Sequence, residues 1–131
     1  MIENKDQQQV AGSPVPQGLP FAEAVAVNGM LYISGQVGID PASGSLANAN
    51  FKTEAQQVMK NLGGVLQRNG LSYADLVSVT IYLIDMDDYT QTNEVYRLYF
   101  TSHFPARVCI AVRQLPLGAQ IEISAIAKLS N

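Results

Sequence analysis

Arg107-Val108-Cys109-Ile110-Ala111-Val112-Arg113 and, one turn later, Ile121-Glu122-Ile123-Ser124-Ala125-Ile126-Ala127-Lys128-Leu129 decide the fold. Both stretches alternate with a period of two, as strands do when successive side chains leave opposite faces. In the first, Val108, Ile110 and Val112 form one row, and Arg107, Cys109, Ala111 and Arg113 form the other. In the second, Ile121, Ile123, Ala125, Ala127 and Leu129 form one row, with Glu122, Ser124, Ile126 and Lys128 opposite. A slip of one residue would turn a whole row over, so register is strongly specified wherever one face is buried. The two wholly apolar rows are therefore expected beneath helices, which sends Arg107, Cys109 and Glu122 to the same helix-free side. An antiparallel register that sets Cys109 across from Glu122 satisfies both rows and gathers the three.

Upstream, residues 77 to 84 alternate in the same way, with Val77, Val79, Ile81 and Leu83 on one side and Ser78, Thr80 and Tyr82 on the other. Two helices flank that strand. Phe51, Ala55, Val58, Met59, Leu62, Val65 and Leu66 recur at three- and four-residue steps on one helical face. Asn50 or Thr53 can cap this helix, and Gly70 suits a left-handed stop after Asn69. Gly63-Gly64 inside it should each cost about 1 kcal/mol against alanine, with no reason legible in the sequence. A second helix is predicted over 88 to 103, its inner face made by Tyr89, Thr92, Val95, Tyr96, Tyr99 and Phe100, and Phe104-Pro105 stops it. Asn28-Gly29, between Ala24-Val27 and Met30-Ser34, is a strong hairpin signal. A Gly-, Pro- and Asn-rich loop follows through Asp40 to Gly44. Residues 1 to about 18 read as a flexible arm punctuated by Gly12, Pro14, Pro16 and Gly18, and the remainder, 19 to 131, as one domain. The order is ββαβαββ: an α+β fold, one mostly antiparallel sheet with two helices on one face.

Composition bounds the function. A chain of 131 residues, 47% hydrophobic and 15% charged, can bury a core of its own but is short of charge to cover its surface. The net charge of -3 argues against a general polyanion binder. One cysteine, Cys109, and one histidine, His103, cannot build an internal disulfide or a zinc cage of the usual kind, and they make a Ser-His-Asp arrangement a weak reading. His103 fits a helix C-terminus, where it favours the dipole, and is not offered as catalytic. No apolar run nears the ~18 residues of a membrane span, and the polar stretch from Met1 to Gln9 lacks the apolar core of a signal peptide. A reduced, cytoplasmic setting is the expectation.

The helix-free face should display Tyr32, Ser34, Ser78, Thr80, Tyr82, Cys109, Ala111, Ser124 and Ile126. It is too apolar for bare water and too polar for a private core. Burial against other subunits is the expectation, set beside a plain solvated antiparallel face.

Phe104-Pro105-Ala106-Arg107-Val108-Cys109, Leu115-Pro116 and Ile121-Glu122-Ile123-Ser124-Ala125-Ile126-Ala127 together resemble the C-terminal signature of the reactive intermediate deaminase (RidA/YjgF) family, also labelled L-PSP endoribonuclease. Ile33-Ser34-Gly35-Gln36 with Asp40-Pro41 and Gly44 resembles that family's N-terminal block, and Asn93 and Tyr96 fit its second helix. The similarity runs from about Gly18 to Lys128. It implies a chorismate-mutase-like fold assembled as a homotrimer, with a central barrel of sheets and clefts between subunits. It also implies hydrolysis of 2-enamine/2-imino acids to 2-keto acids and ammonia, with no metal and no bound cofactor. On that resemblance Arg107 anchors the substrate carboxylate, as a planar guanidinium can do bidentately. Glu122 accepts the proton of the attacking water. Cys109 sits beside the reacting carbon as lining, since no histidine base accompanies it. Ser34, the Gly35 backbone, Phe21 and Asn93 border the ligand.

One position departs from the family. Leu19-Pro20-Phe21 stands where well-characterised deaminases have Gly-Pro-Tyr, so the ring is kept and the hydroxyl lost. Plainer readings stand beside these roles. Arg107 and Glu122 can be a structural ion pair, Cys109 a small buried hydrophobe, Ser34 a strand end and Phe21 ordinary packing. Tyr82, Tyr89, Tyr96 and Tyr99 suit core or interface better than a nucleic-acid stacking platform. Two further functions compete with the deaminase: an endoribonuclease-type translation inhibitor, and a trimer that binds small carboxylates without turning them over.

Overall fold

The computed structural model describes Gln8–Gln9 and residues 18–130. Within them the elements in chain order are β1 (Gln8–Gln9), β2 (Ala24–Val27), β3 (Met30–Gln36), β4 (Ile39–Asp40), β5 (Ser45–Leu46), α1 (Phe51–Arg68), β6 (Leu76–Leu83), α2 (Tyr89–Tyr96), β7 (Ala106–Ala111) and β8 (Ile121–Lys128). The expected arm lies outside the described residues, apart from Gly18 and the two residues of β1, which pair with Val25 and Ala26.

The α+β class is as expected. Asn28 and Gly29 take φ of 51° and 77°, the two positive values that a two-residue turn needs to match strand twist, and Val27 faces Met30. Asn50, not Thr53, caps α1: its Oδ1 accepts the Thr53 N–H at 2.9 Å. The apolar stripe of α1 is buried from Phe51 to Leu66. Gly63 now has a reason. A β-carbon there would collide with the Tyr73 hydroxyl, which donates to the Met59 carbonyl at 2.8 Å. The loop through Asp40 to Gly44 closes a separate two-stranded ribbon, β4 with β5.

Three expectations are corrected. The second helix stops at Tyr96, and a 3₁₀ turn over Arg97–Tyr99 follows. The chain turns extended at Phe100, whose ring packs on Tyr96 at 4.7 Å and on Tyr73 at 6.2 Å. Tertiary packing of aromatic rings outweighs helical periodicity here. Val77 does not join the inner row either. A bulge between Leu76 and Ser78 against β8 turns Val77 out to 45% exposure and leaves Leu76 inside.

The third correction bears on function. The sheet order is β1-β2-β3-β8-β6-β7, so β7 and β8 are not neighbours and Cys109 does not face Glu122. β6, α2 and β7 form a crossover between parallel strands, and β8 inserts antiparallel between β3 and β6. The linker from β7 to β8 crosses the end of β6, where the Val112 N–H donates to the Leu83 carbonyl at 2.7 Å and the Ile84 N–H to the Gln120 carbonyl at 3.3 Å. Paired residues share a face. Arg107 is paired with Val79 and Cys109 with Ile81, both buried, whereas Val108 is paired with Thr80 and Ile110 with Tyr82. Arg107 and Cys109 therefore lie on the helix-covered side, and Val108 and Ile110 stand 54% and 41% exposed on the open side. Glu122, paired with Tyr82, is on the open side as well. Of the last two strands only β8 obeys the expected parity: Ile121, Ile123, Ala125 and Ala127 are buried. β7 escapes it because at the sheet edge α2 offers a polar niche to a charged side chain in place of core.

Candidate functional site

The expected residues fall into two groups on opposite faces of one chain. In the first, Arg107 leaves the edge strand towards α2. Its Nη2 donates to Asn93 Oδ1 at 2.6 Å. The guanidinium carbon sits 4.9 Å from the Tyr96 ring centroid and 5.6 Å from that of Tyr89, within cation–π range of both. Tyr89, Asn93 and Tyr96 stand at spacings of four and three, so one helix turn presents all three to one side. Tyr96 is 5% exposed, packed on Phe100 and Phe104. Burial pushes its phenol up to about 12, the charge of Arg107 working the other way, and its buried hydroxyl has no hydrogen-bond partner among the described residues. Cys109, two residues along β7, packs against the core. Burial raises its thiol above the ordinary range, only partly offset by Arg107, so it is a thiol and not a ready thiolate.

The second group sits on β3 and β8. Ile33 pairs with Ala125 and Gln36 with Ile123, so Ser34 and Gly35 together oppose Ser124 in a bulge. The bulge is pinned: the Ser34 hydroxyl donates to the Ala22 carbonyl at 2.6 Å, and the Ser34 N–H to the Glu23 carbonyl at 2.9 Å. That ties the segment of Phe21, itself half exposed, to the bulge. A β-carbon on Gly35 would come 2.8 Å from both Cδ and Oε2 of Glu122, so the carboxyl lies against bare backbone. Burial raises the Glu122 pKa above the usual carboxylate range.

Two buried acids that the sequence reading passed over hold this second group. Glu23, 2% exposed, receives Arg68 Nη2 at 2.6 Å and fixes the start of β2. Glu54, fully buried on α1, accepts the Gln120 N–H at 2.7 Å and its side-chain amide at 3.1 Å, just ahead of Glu122. The signal for Glu54 was present: it is a carboxylate within the apolar stripe, three residues after Phe51.

β7 and β8 are separated by β6, about 10 Å in the plane of the sheet, and the two groups also face opposite ways. Arg107 and Glu122 of one chain thus make neither an ion pair nor a single pocket. A hollow of about 220 Å³ lies at neither group; Ser72, Tyr73, Tyr99, Phe100 and His103 are among its walls. Among the described residues no cluster of His, Cys, Asp and Glu is fit to hold a metal, and no helix is long and apolar enough to cross a membrane.

The endoribonuclease L-PSP family profile matches residues 13–129. A human 2-iminobutanoate/2-iminopropanoate deaminase is 44% identical over 108 residues, covering 82% of this chain and 79% of that protein. The crystal structure of YyfA, of the conserved Rid family, from Yersinia pestis superposes with a TM-score of 0.88 at 34% identity, covering 94% of this chain and 99% of that one. E. coli TdcF, solved with bound serine, superposes with a TM-score of 0.81 at 30% identity, covering 86% and 90%.

Proposed function

The chain belongs to the endoribonuclease L-PSP family, which includes the Rid proteins, and on that footing we propose that it hydrolyses 2-imino acids to 2-keto acids and ammonia. The observation that carries the reading is the Arg107 guanidinium, fixed by Asn93 and two tyrosine rings with no carboxylate at salt-bridge distance among the described residues. A cation so held is suited to a substrate carboxylate. Glu122 is the base. Water adds to C2 of the C=N bond while Glu122 takes its proton and passes it to the imine nitrogen. The hydroxyl proton of the resulting carbinolamine then moves by the same carboxylate to the amine, whose C–N bond breaks to release ammonia and leave the keto acid. Burial raises the pKa of Glu122, which makes its carboxylate a better proton acceptor than that of an exposed glutamate. Cys109 lines the site as a neutral thiol, and Phe21, Ser34 and Gly35 border it.

In this reading the two groups meet between protomers: Arg107 and Cys109 of one against Glu122 and the Ser34-Gly35 bulge of the next, in a homotrimer. Its support is the exposed row of Val108, Ile110 and Tyr32 on the open sheet face, apolar surface that association would cover. A cytoplasmic, reducing setting accords with the single cysteine. The net charge of -3 disfavours RNA as the substrate.

The test couples purified protein to threonine dehydratase. Release of 2-oxobutanoate should accelerate, and Arg107→Ala and Glu122→Gln should each remove the gain. No acceleration with several amino-acid precursors overturns catalysis, and calorimetric binding of 2-oxobutanoate without turnover would then identify a carboxylate-binding trimer. Cleavage of single-stranded RNA that disappears in Arg107→Ala would favour the ribonuclease instead.

A further inference from the structure

We infer that Tyr89, Asn93 and Tyr96 form a neutral clamp that sets the Arg107 guanidinium before any carboxylate arrives, making α2 the positioning element of the anion site. The inference rests on the reading of Arg107 as carboxylate anchor. It reassigns Asn93 from ligand contact to support of the anchor, and adds two tyrosines that no comparison assigns.

Three observations converge. The first is partner chemistry. Arg68, the other arginine seen bonded to a side chain, is neutralised by Glu23, while Arg107 is held by an amide oxygen and two ring faces. None of these cancels its charge. A structural arginine gains most from a carboxylate, whereas a ligand-binding one has to keep its charge for the ligand.

The second is geometry. A ring face attracts the cation without supplying a hydrogen-bond acceptor of ordinary strength, so the two tyrosines do not neutralise its N–H donors as a carboxylate would. Asn93 takes one of the five guanidinium N–H donors, and among the described residues no other hydrogen bond engages the remaining four, which suits them to a planar carboxylate. The third is rigidity. Tyr96 is locked by Phe100 and Phe104, with ring centroids 4.7 and 6.4 Å away, while Tyr89 is 42% exposed and closes the outer side. One ring is a fixed wall and the other a rim. An arginine fixed in this way has little side-chain entropy left to lose on binding, so the clamp should act on affinity and leave the chemical step alone.

Two measurements test this. In ¹⁵N-resolved spectra of the arginine side chains, assigned with Arg107→Lys, the wild-type Arg107 Nη protons should appear as separate, slowly exchanging signals, and Asn93→Ala should average them. By calorimetry, 2-oxobutanoate should bind about tenfold more weakly to Asn93→Ala and to Tyr89→Leu. Tyr89→Phe, which keeps the ring face, should restore the affinity. In the coupled assay the same two variants should raise KM with kcat little changed.

Averaged Arg107 signals in the wild type overturn the clamp, and so does unchanged affinity in both Asn93→Ala and Tyr89→Leu where Arg107→Ala has lost it. If Arg107→Ala binds 2-oxobutanoate as the wild type does, the anchor reading itself fails, and the spectra still decide separately whether the guanidinium is held.

Discussion

The Gly35 α-carbon is packed against the Glu122 carboxyl, so closely that a methyl group there would stand 2.8 Å from Cδ and Oε2. The backbone of β3 thereby decides where the carboxyl on β8 can point. Because the colliding atoms are the tip of a flexible side chain, Gly35→Ala should displace them at little cost in stability. We expect a melting temperature within a few degrees of wild type and at least a tenfold loss of deaminase activity, measured side by side by calorimetric unfolding and the coupled assay.

Glu122 also governs the expected pH dependence. Burial raises its folded pKa above the ordinary glutamate value, so the acid limb of kcat/KM in the wild type should lie above that value. The sign for stability follows from proton binding: between the two pKa values the folded chain holds a proton that the unfolded chain has released. The contribution of Glu122 to stability therefore falls as pH rises through that window. Denaturant titrations of wild type and Glu122→Gln across it should converge at low pH and diverge in favour of the variant at neutral pH.

Glycine at 63 is set by Tyr73. Alanine would add helix propensity worth about 1 kcal/mol, but it must evict a hydroxyl bonded to the Met59 carbonyl. Gly63→Ala should thus destabilise by about 1–3 kcal/mol net, and the same change in a Tyr73→Phe background should lose only part of that penalty, because the ring Cζ still stands 2.8 Å from the new methyl group. Urea unfolding of the double-mutant cycle checks it.

Glu54 is a buried acid whose two oxygens, among the described residues, both serve Gln120. Glu54→Ala removes the acceptor of the partly buried Gln120 N–H and should cost about 1–3 kcal/mol. Since Gln120 leads into Glu122, the variant should also lower kcat at temperatures where it stays folded, which a thermal melt run beside the assay will separate.

Assembly is tested at the open face. Val108→Lys introduces charge into the exposed row without touching the core. Light scattering should give about three times 14.1 kDa for the wild type and a lower mass for the variant, with activity lost in proportion, while circular dichroism stays unchanged. A wild-type mass of one chain would remove the meeting of the two half-sites.

Local chemistry was legible in the residues themselves. Asn28-Gly29 announced its hairpin because few pairs tolerate positive φ twice, the apolar stripe of α1 announced its buried face, and the Ile121–Ala127 row announced the core side of a central strand. Phe104 to Cys109 and Ile121 to Ala127 carried the family. Strand order was not legible, because alternation tells which residues share a face and is silent on which strand lies alongside. Nor could it tell which row of an edge strand turns inward. The apolar row of β7 was assigned to the core, yet Arg107 took the inner side because Tyr89, Asn93 and Tyr96, distant in sequence, solvate a cation there. Periodicity is a property of one strand, whereas the cost of burying a charge depends on what the rest of the chain brings to meet it. That partner was decided only when α2 folded over the sheet edge.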